Sequence, residues 1–190
     1  MKQCLYALLC GALLPGCAGD GMAGRALAAA GIAKAPEIAE AQKPPRSLAL
    51  RLHAAARLNV DSRGRPLALV ARVYHLRQHA AFDAAPYDAF LTPGADLAAF
   101  GADVVATKDV TLVPGQRYEV VERVGREAGF VGIVALYHSP AAGRWRLAFN
   151  ALEAEKAGVT VGLQACALGV GTGAEPITPN VKGLGSARCQ

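Results

Sequence analysis

Three observations predict an all-β fold built as a two-sheet sandwich. Short runs alternate apolar and polar residues with period two, turn residues separate them at modest spacing, and about seven such runs follow one another. In the first, "SLALRLHAAARLN", Leu48, Leu50, Leu52 and Ala54 share one face while Ala49, Arg51, His53 and Ala55 share the other. A polar turn, "NVDSRGRP" from Asn59 to Pro66, leads to "LALVARVYHL", and the two strands are expected to form a hairpin or a neighbouring pair.

Residues 77–100 lose the alternation. They scatter Phe82, Tyr87, Phe90, Leu97 and Phe100 among turn residues and helix formers, which predicts an inserted, partly helical excursion that must bury its rings. Strand character returns in "DVVATKDVTLVPG", closed by a turn at Pro114-Gly115. It continues in "QRYEVVERV", whose heptad-like spacing also admits a short helix. "FVGIVALYH" is apolar on both faces and should be central. In "RWRLAFNAL", Trp145, Leu147 and Phe149 are expected inward and Arg144 and Arg146 outward, and "VTVGLQACAL" closes the set. From Gly169 to Gln190 the Gly/Pro content predicts a flexible tail.

The chain of 190 residues fits one folded unit plus extensions. Met1-Lys2-Gln3 is a short positive region ahead of an apolar run from Cys4 to Pro15. That run is about a dozen residues, too short to cross roughly 30 Å of hydrocarbon and suited to a signal peptide over 1–16, although a buried first strand is the competing reading. Leu14-Pro15-Gly16-Cys17 resembles the bacterial lipobox, with Pro15 an uncommon occupant of its position. The resemblance implies cleavage before Cys17, acylation of its thiol by diacylglycerol and palmitate-type chains, and loss of Cys4 and Cys10. Ala18 follows Cys17 where an aspartate would resemble the inner-membrane retention signal, so outer-membrane sorting is implied. Residues 17–46 read as a lipid-anchored tether rich in Ala and Gly and broken by Pro36 and Pro44-Pro45, with a root-mean-square reach of roughly 30 Å, or alternatively as a packed helix. The sandwich is expected over 47–168.

Other chemistries fit poorly. Net charge is +5, but only 18% of residues are charged and no Lys/Arg cluster is interleaved with aromatics, so no nucleic-acid partner is expected. Cys4, Cys10, Cys17, Cys166 and Cys189 form no CxxC pair and lack histidines at zinc spacing, so no metal is expected. A Cys166–Cys189 disulfide is permitted by parity and an oxidising compartment, while the position of Cys189 in the tail argues against it. His75 and His79 in "HLRQH" would share a helix face, yet their segment begins as a strand and no third ligand stands near. His53 and His138 read as ordinary strand residues. "GVGTG" at Gly169–Gly173 lacks the Lys-Ser/Thr of a phosphate loop, no Gly-x-Ser-x-Gly elbow occurs, and pairs such as Asp83/Asp88 and Glu153/Glu155 fall in polar connections.

In order along the chain stand a lipobox, Leu58-Asn59 with Asp61, Gly64-Arg65-Pro66, Arg72-Val73-Tyr74 with Leu76, Phe82, Leu91, Pro114-Gly115, "VGIVALY" and Trp145-Arg146. Over about Leu48 to Val161 this series resembles the type VI secretion system lipoprotein family called TssJ, SciN or VasD. The resemblance implies a transthyretin-like β-sandwich with a small helical addition, held on the periplasmic face of the outer membrane. It implies a structural rather than an enzymatic role, that of holding the periplasmic domain of the inner-membrane protein TssM, with no cofactor beyond the covalent lipid on Cys17. Family members use the loop between the first two strands as a partner contact, which corresponds here to Asn59, Val60, Asp61, Ser62, Arg63, Gly64, Arg65 and Pro66. A solvated turn is the plainer reading of that loop. The tail from Gly169 has no counterpart in the family pattern. Two other functions compete, a periplasmic small-molecule binder or enzyme on a transthyretin-like scaffold and a generic adhesion or chaperone lipoprotein, because fold alone does not fix function.

Overall fold

The computed structural model describes residues 38–178 and Cys189, and within them the alternating runs become two four-stranded sheets packed face to face. One sheet contains β1 (Arg46–Ala54), β4 (Arg117–Val124), β7 (Val159–Leu163) and β8 (Leu168–Val170), in the order β4-β1-β7-β8. The other contains β2 (Leu69–Leu76), β3 (Val104–Leu112), β5 (Phe130–Ala135) and β6 (Arg146–Asn150), in the order β3-β2-β5-β6. Within each sheet neighbours run antiparallel, except that β1 and β7 are parallel. The chain from Glu40 onward forms one compact unit. The expected signal segment, Cys17 and the expected tether up to residue 37 lie outside the described residues, as does most of the chain after Thr178.

The inner faces follow the sequence pattern. Leu48, Leu50, Leu52 and Ala54 of β1 meet Ala71, Val73, Ile133, Leu147 and Phe149 of the other sheet in one continuous core. "QRYEVVERV" is strand β4, not a helix, and the doubly apolar β5 is an interior strand of its sheet. Arg46, expected in the tether, is instead the first residue of β1 and is buried. Its guanidinium donates to the Ala128 carbonyl at 3.2 Å and to Glu40 Oε1 at 3.1 Å, and Glu155 Oε2 lies 3.5 Å from its Nε, so the buried charge is paired with carboxylates.

The expected pairing of β1 with β2 is corrected: they lie in different sheets, and residues 55–68 carry the chain across the sandwich. Alternation fixes which face a strand buries and leaves its neighbour open. The β1 edges are taken by β4 and β7, so β2 is free to pair with β3 and β5.

The excursion is helical, as expected, with α1 (Ala80–Ala84), α2 (Asp88–Leu91) and α3 (Ala95–Phe100) laid over the outer face of the β3-β2-β5-β6 sheet. Phe82, Phe90 and Phe100 surround Tyr74 of β2, with ring centroids 5.6, 6.1 and 5.4 Å from it in edge-on arrangements. Gly132 makes this contact possible, because a Cβ at that position would stand 2.8 Å from the Phe82 ring. Over β5 and β6 the sheet is thus covered on both sides, which corrects the expectation for β6, while the edge strand β3 stays largely exposed. Trp145 precedes the strand and packs against Tyr87 and Phe90 of the excursion, 4.9 and 5.2 Å away. Arg146 is half-buried rather than outward; it donates to the carbonyls of Phe82, Asp83 and Ala85 at the end of α1 while its guanidinium lies 4.6 Å from the Trp145 ring.

Two further segments differ from expectation. "ALEAEKA" forms α4 (Ala151–Ala157), whose first amides, Leu152 and Glu153, are capped by Asn150 Oδ1 at 2.9 and 3.3 Å and which ends at Gly158 with φ of 71°. Gly169 and Val170 belong to β8, and the chain beyond them covers the β6 edge. Pro176 bridges Phe149, the Ile177 amide donates to the Ala148 carbonyl at 2.8 Å, and Thr178 Oγ1 accepts from the Ala148 amide at 2.9 Å. A bare strand edge invites unwanted pairing, so this part of the expected tail is structural.

Candidate functional site

The strand registers gather four connections at one end of the sandwich. β7 runs parallel to β1, His53 faces Arg117 and Ala71 faces Ala135, so residues 55–68, 113–116, 136–145 and 164–167 all meet where β1 ends. The loop singled out by the sequence, Asn59–Pro66, is part of this end.

Asn59 is buried and takes a left-handed backbone conformation, φ 44°, which asparagine tolerates better than most residues. Its Nδ2 donates to the Ala68 carbonyl at 2.8 Å, its Oδ1 accepts from the His138 amide at 2.7 Å, and its own amide donates to the Gln164 carbonyl at 3.2 Å. Val60 is half-buried and donates its amide to the Ala165 carbonyl at 3.0 Å. One residue thereby fastens three connections.

Asp61 shapes the tip. Its Oδ1 accepts from the amides of Arg63 and Arg65, both at 2.9 Å, and its Oδ2 accepts from Arg65 Nε at 2.8 Å. The Arg65 amide foremost, with the Arg65 guanidinium and the Arg63 amide adding, holds the Asp61 carboxyl below the usual carboxylate range. Gly64 supplies the remaining left-handed turn at φ 73°. Ser62, Arg63, Gly64, Arg65 and Pro66 are exposed. The Arg63 side chain has no partner among the described residues, whereas Arg65 is committed to Asp61. The tip is therefore a pre-shaped turn offering one unpaired cation, a form suited to a directional charged contact without ordering cost.

Sequence reasoning missed several residues of this end. Val113 is exposed on the neighbouring turn, whose Gly115 amide donates to the Ala55 carbonyl at 3.1 Å. Tyr137 is buried and donates its hydroxyl to the Ala167 carbonyl at 2.8 Å, and burial raises its pKa. The Cys166–Cys189 disulfide, which parity permits and the position of Cys189 in the tail argues against, is formed, so the far end of the chain returns to the turn that carries Gln164 and Ala165. The available signals were the Asn-initiated turn and the parity of the two cysteines.

The other histidines are engaged locally. His79 Nδ1 lies 2.6 Å from Asp83 Oδ2 and its ring packs 4.6 Å from Phe130, while burial lowers the pKa of His75 on β2. Among the described residues no group of three or more His, Cys, Asp or Glu side chains is placed to hold a metal ion.

The family described as "Type VI secretion lipoprotein, VasD, EvfM, TssJ" matches residues 46–166. Among curated proteins none matches. Among solved structures, TssJ1 from Pseudomonas aeruginosa superposes with a TM-score of 0.60 at 27% identity, covering 70% of this chain and 98% of that one. A chain of the structure described as "Type VI membrane complex" gives 0.61 at 28% identity, covering 66% and 98%. A chain of that described as "T6SS protein TssM C-terminal domain (869-1107) from EAEC" gives 0.58 at 27%, covering 66% and 97%. With β1 to β7, the helical cover and the β1–β2 loop all lying within the matched region, the chain belongs to the type VI secretion lipoprotein family.

Proposed function

We infer that this protein is a non-catalytic assembly component of the type VI secretion membrane complex, holding the periplasmic domain of TssM to the outer membrane. Family membership supports the secretion role. The likeness to chains of structures described by the TssM C-terminal domain and by the membrane complex supports the partner. In this reading Cys17 carries the lipid, with two or three acyl chains that each add about 0.8 kcal/mol per buried methylene, so that attachment is permanent. The loop Asn59–Pro66 makes the partner contact, with Arg63 as the presented charge. The observation that carries the assignment is the braced tip: Asn59 and Asp61 spend their side chains on shape and leave Arg63 outward.

The test is capture of the cognate TssM periplasmic domain by this protein. Binding is expected at micromolar concentration or better, and Arg63→Glu is expected to weaken it by about tenfold or more with the melting temperature unchanged. Equal affinity for the variant would move the contact off the loop. Cys17→Ser is expected to abolish acyl labelling, and labelling that survives would refute the anchor assignment.

A further inference from the structure

The two outer faces of the sandwich carry different chemistry, and among the described residues no helix covers one of them. On the β4-β1-β7-β8 sheet, register places Ser47, Ala49, Arg51 and His53 of β1 beside Arg117, Glu119, Val121 and Arg123 of β4, and beside Thr160 and Gly162 of β7. The guanidinium groups of Arg51, Arg117 and Arg123 make no hydrogen bond or ion pair among the described residues. Among the strand residues of this face the carboxylate is Glu119, opposite Arg51 in the register and 3.4 Å from His53, so arginines outnumber carboxylates there. Val121, at 61% exposure, is an exposed large apolar residue on the edge strand β4. Toward the loop end the surface dips into a trough of about 400 Å³ lined by His53, Arg117, Gly162, Gly169 and Gly171, whose glycines bring bare backbone to the surface.

We propose that this face is a docking surface for the phosphate headgroups of an anionic lipid bilayer. Guanidinium groups pair with phosphate through two parallel N–H donors, and weak hydration lets them leave water at modest cost. The charge of the face is complementary to an anionic leaflet. Each arginine near such a surface favours attachment by roughly fivefold, so with Glu119 offsetting one charge the face favours it on the order of 30-fold. The inference rests on the lipid anchoring proposed above, because a tethered domain meets its membrane at high effective concentration and weak contacts then suffice. Docking lays the strands along the bilayer and turns the helical cover away from it.

The experiment is arginine footprinting with phenylglyoxal on the full-length acylated protein, bound to phosphatidylcholine vesicles with or without roughly 30 mol% phosphatidylglycerol. On the anionic vesicles, modification of Arg51, Arg117 and Arg123 is expected to slow by about fivefold or more, to recover near 0.5 M salt, and to leave Arg63 unchanged. Inorganic phosphate added to phosphatidylcholine vesicles separates free anion from headgroup: equal protection in that arm would overturn docking to a bilayer. Equal rates on both vesicles, protection that includes Arg63, or protection that depends on protein concentration as self-association would, each overturns the proposal. Flotation with pure phosphatidylcholine vesicles reports the anchor separately. A chain that fails to float there refutes Cys17 acylation, whereas a chain that floats without differential protection refutes only the docking face.

Discussion

The outer face of the β3-β2-β5-β6 sheet is roofed by three short helices and packed with aromatic rings, whereas the outer face of the β4-β1-β7-β8 sheet meets solvent with arginines and small residues. The same strand period serves both, yet on one side it divides core from core and on the other core from water. The difference teaches where stability and recognition reside. Substitutions beneath the roof should be felt by the fold, and substitutions on the bare face only by what docks there.

The largest expected effect is on the roof. Phe82→Ala removes a fully buried ring that touches Tyr74, Phe90 and Phe100, and is expected to cost about 3–5 kcal/mol in denaturant unfolding. Next comes Gly132→Ala, where the added Cβ meets the Phe82 ring at 2.8 Å; about 1–3 kcal/mol should be lost, and near-neutrality would show the roof to be loosely seated. Alkali tests the same seat. Tyr87 donates to the Tyr137 carbonyl at 2.6 Å, and burial, with the Asp88 charge adding, pushes its phenol up to about 12. A phenol whose folded pKa is raised above the ordinary 10.0 contributes stability that is present below pH 10 and lost as pH rises toward 12. Stability should therefore fall across that window, and Tyr87→Phe should blunt the fall. The smallest effect belongs to the bare face: Arg117→Gln is expected to change unfolding free energy by less than about 0.5 kcal/mol. A larger change would mean that the face is part of the fold rather than a surface.

Much of this was legible in the sequence. The leucines of β1 announced both a strand and its buried side, and the loss of alternation over residues 77–100 announced the helical excursion and its rings. Partner choice between strands was not legible, because the period of β1 and β2 is the same whether they pair or face each other across a core. Arg146 was misread for a related reason: an arginine alternating with apolar residues signals solvent only when nothing covers that face, and the cover comes from a distant segment. The helix α4 was legible and was passed over, since Asn150 and Gly158 bracket a run of good helix formers. At the candidate site the sequence indicated the loop but not its division of labour. Only the fold shows that Asn59 faces inward to three connections while Arg63 faces out. The C-terminal segment looked unstructured by composition because its order comes from the β6 edge and from a disulfide, neither of which composition encodes.

The position of β1 has a mechanical consequence. If the lipid anchor and the loop contact proposed above hold, the pull between them runs lengthwise through β1. That strand lies inside its sheet, paired with β4 along Arg46–His53 and with β7 along Leu50–Ala54. Tension between those two points would pass along the covalent backbone of β1, with β4 and β7 holding the strand in place on either side, so the sandwich need not open for the pull to be transmitted.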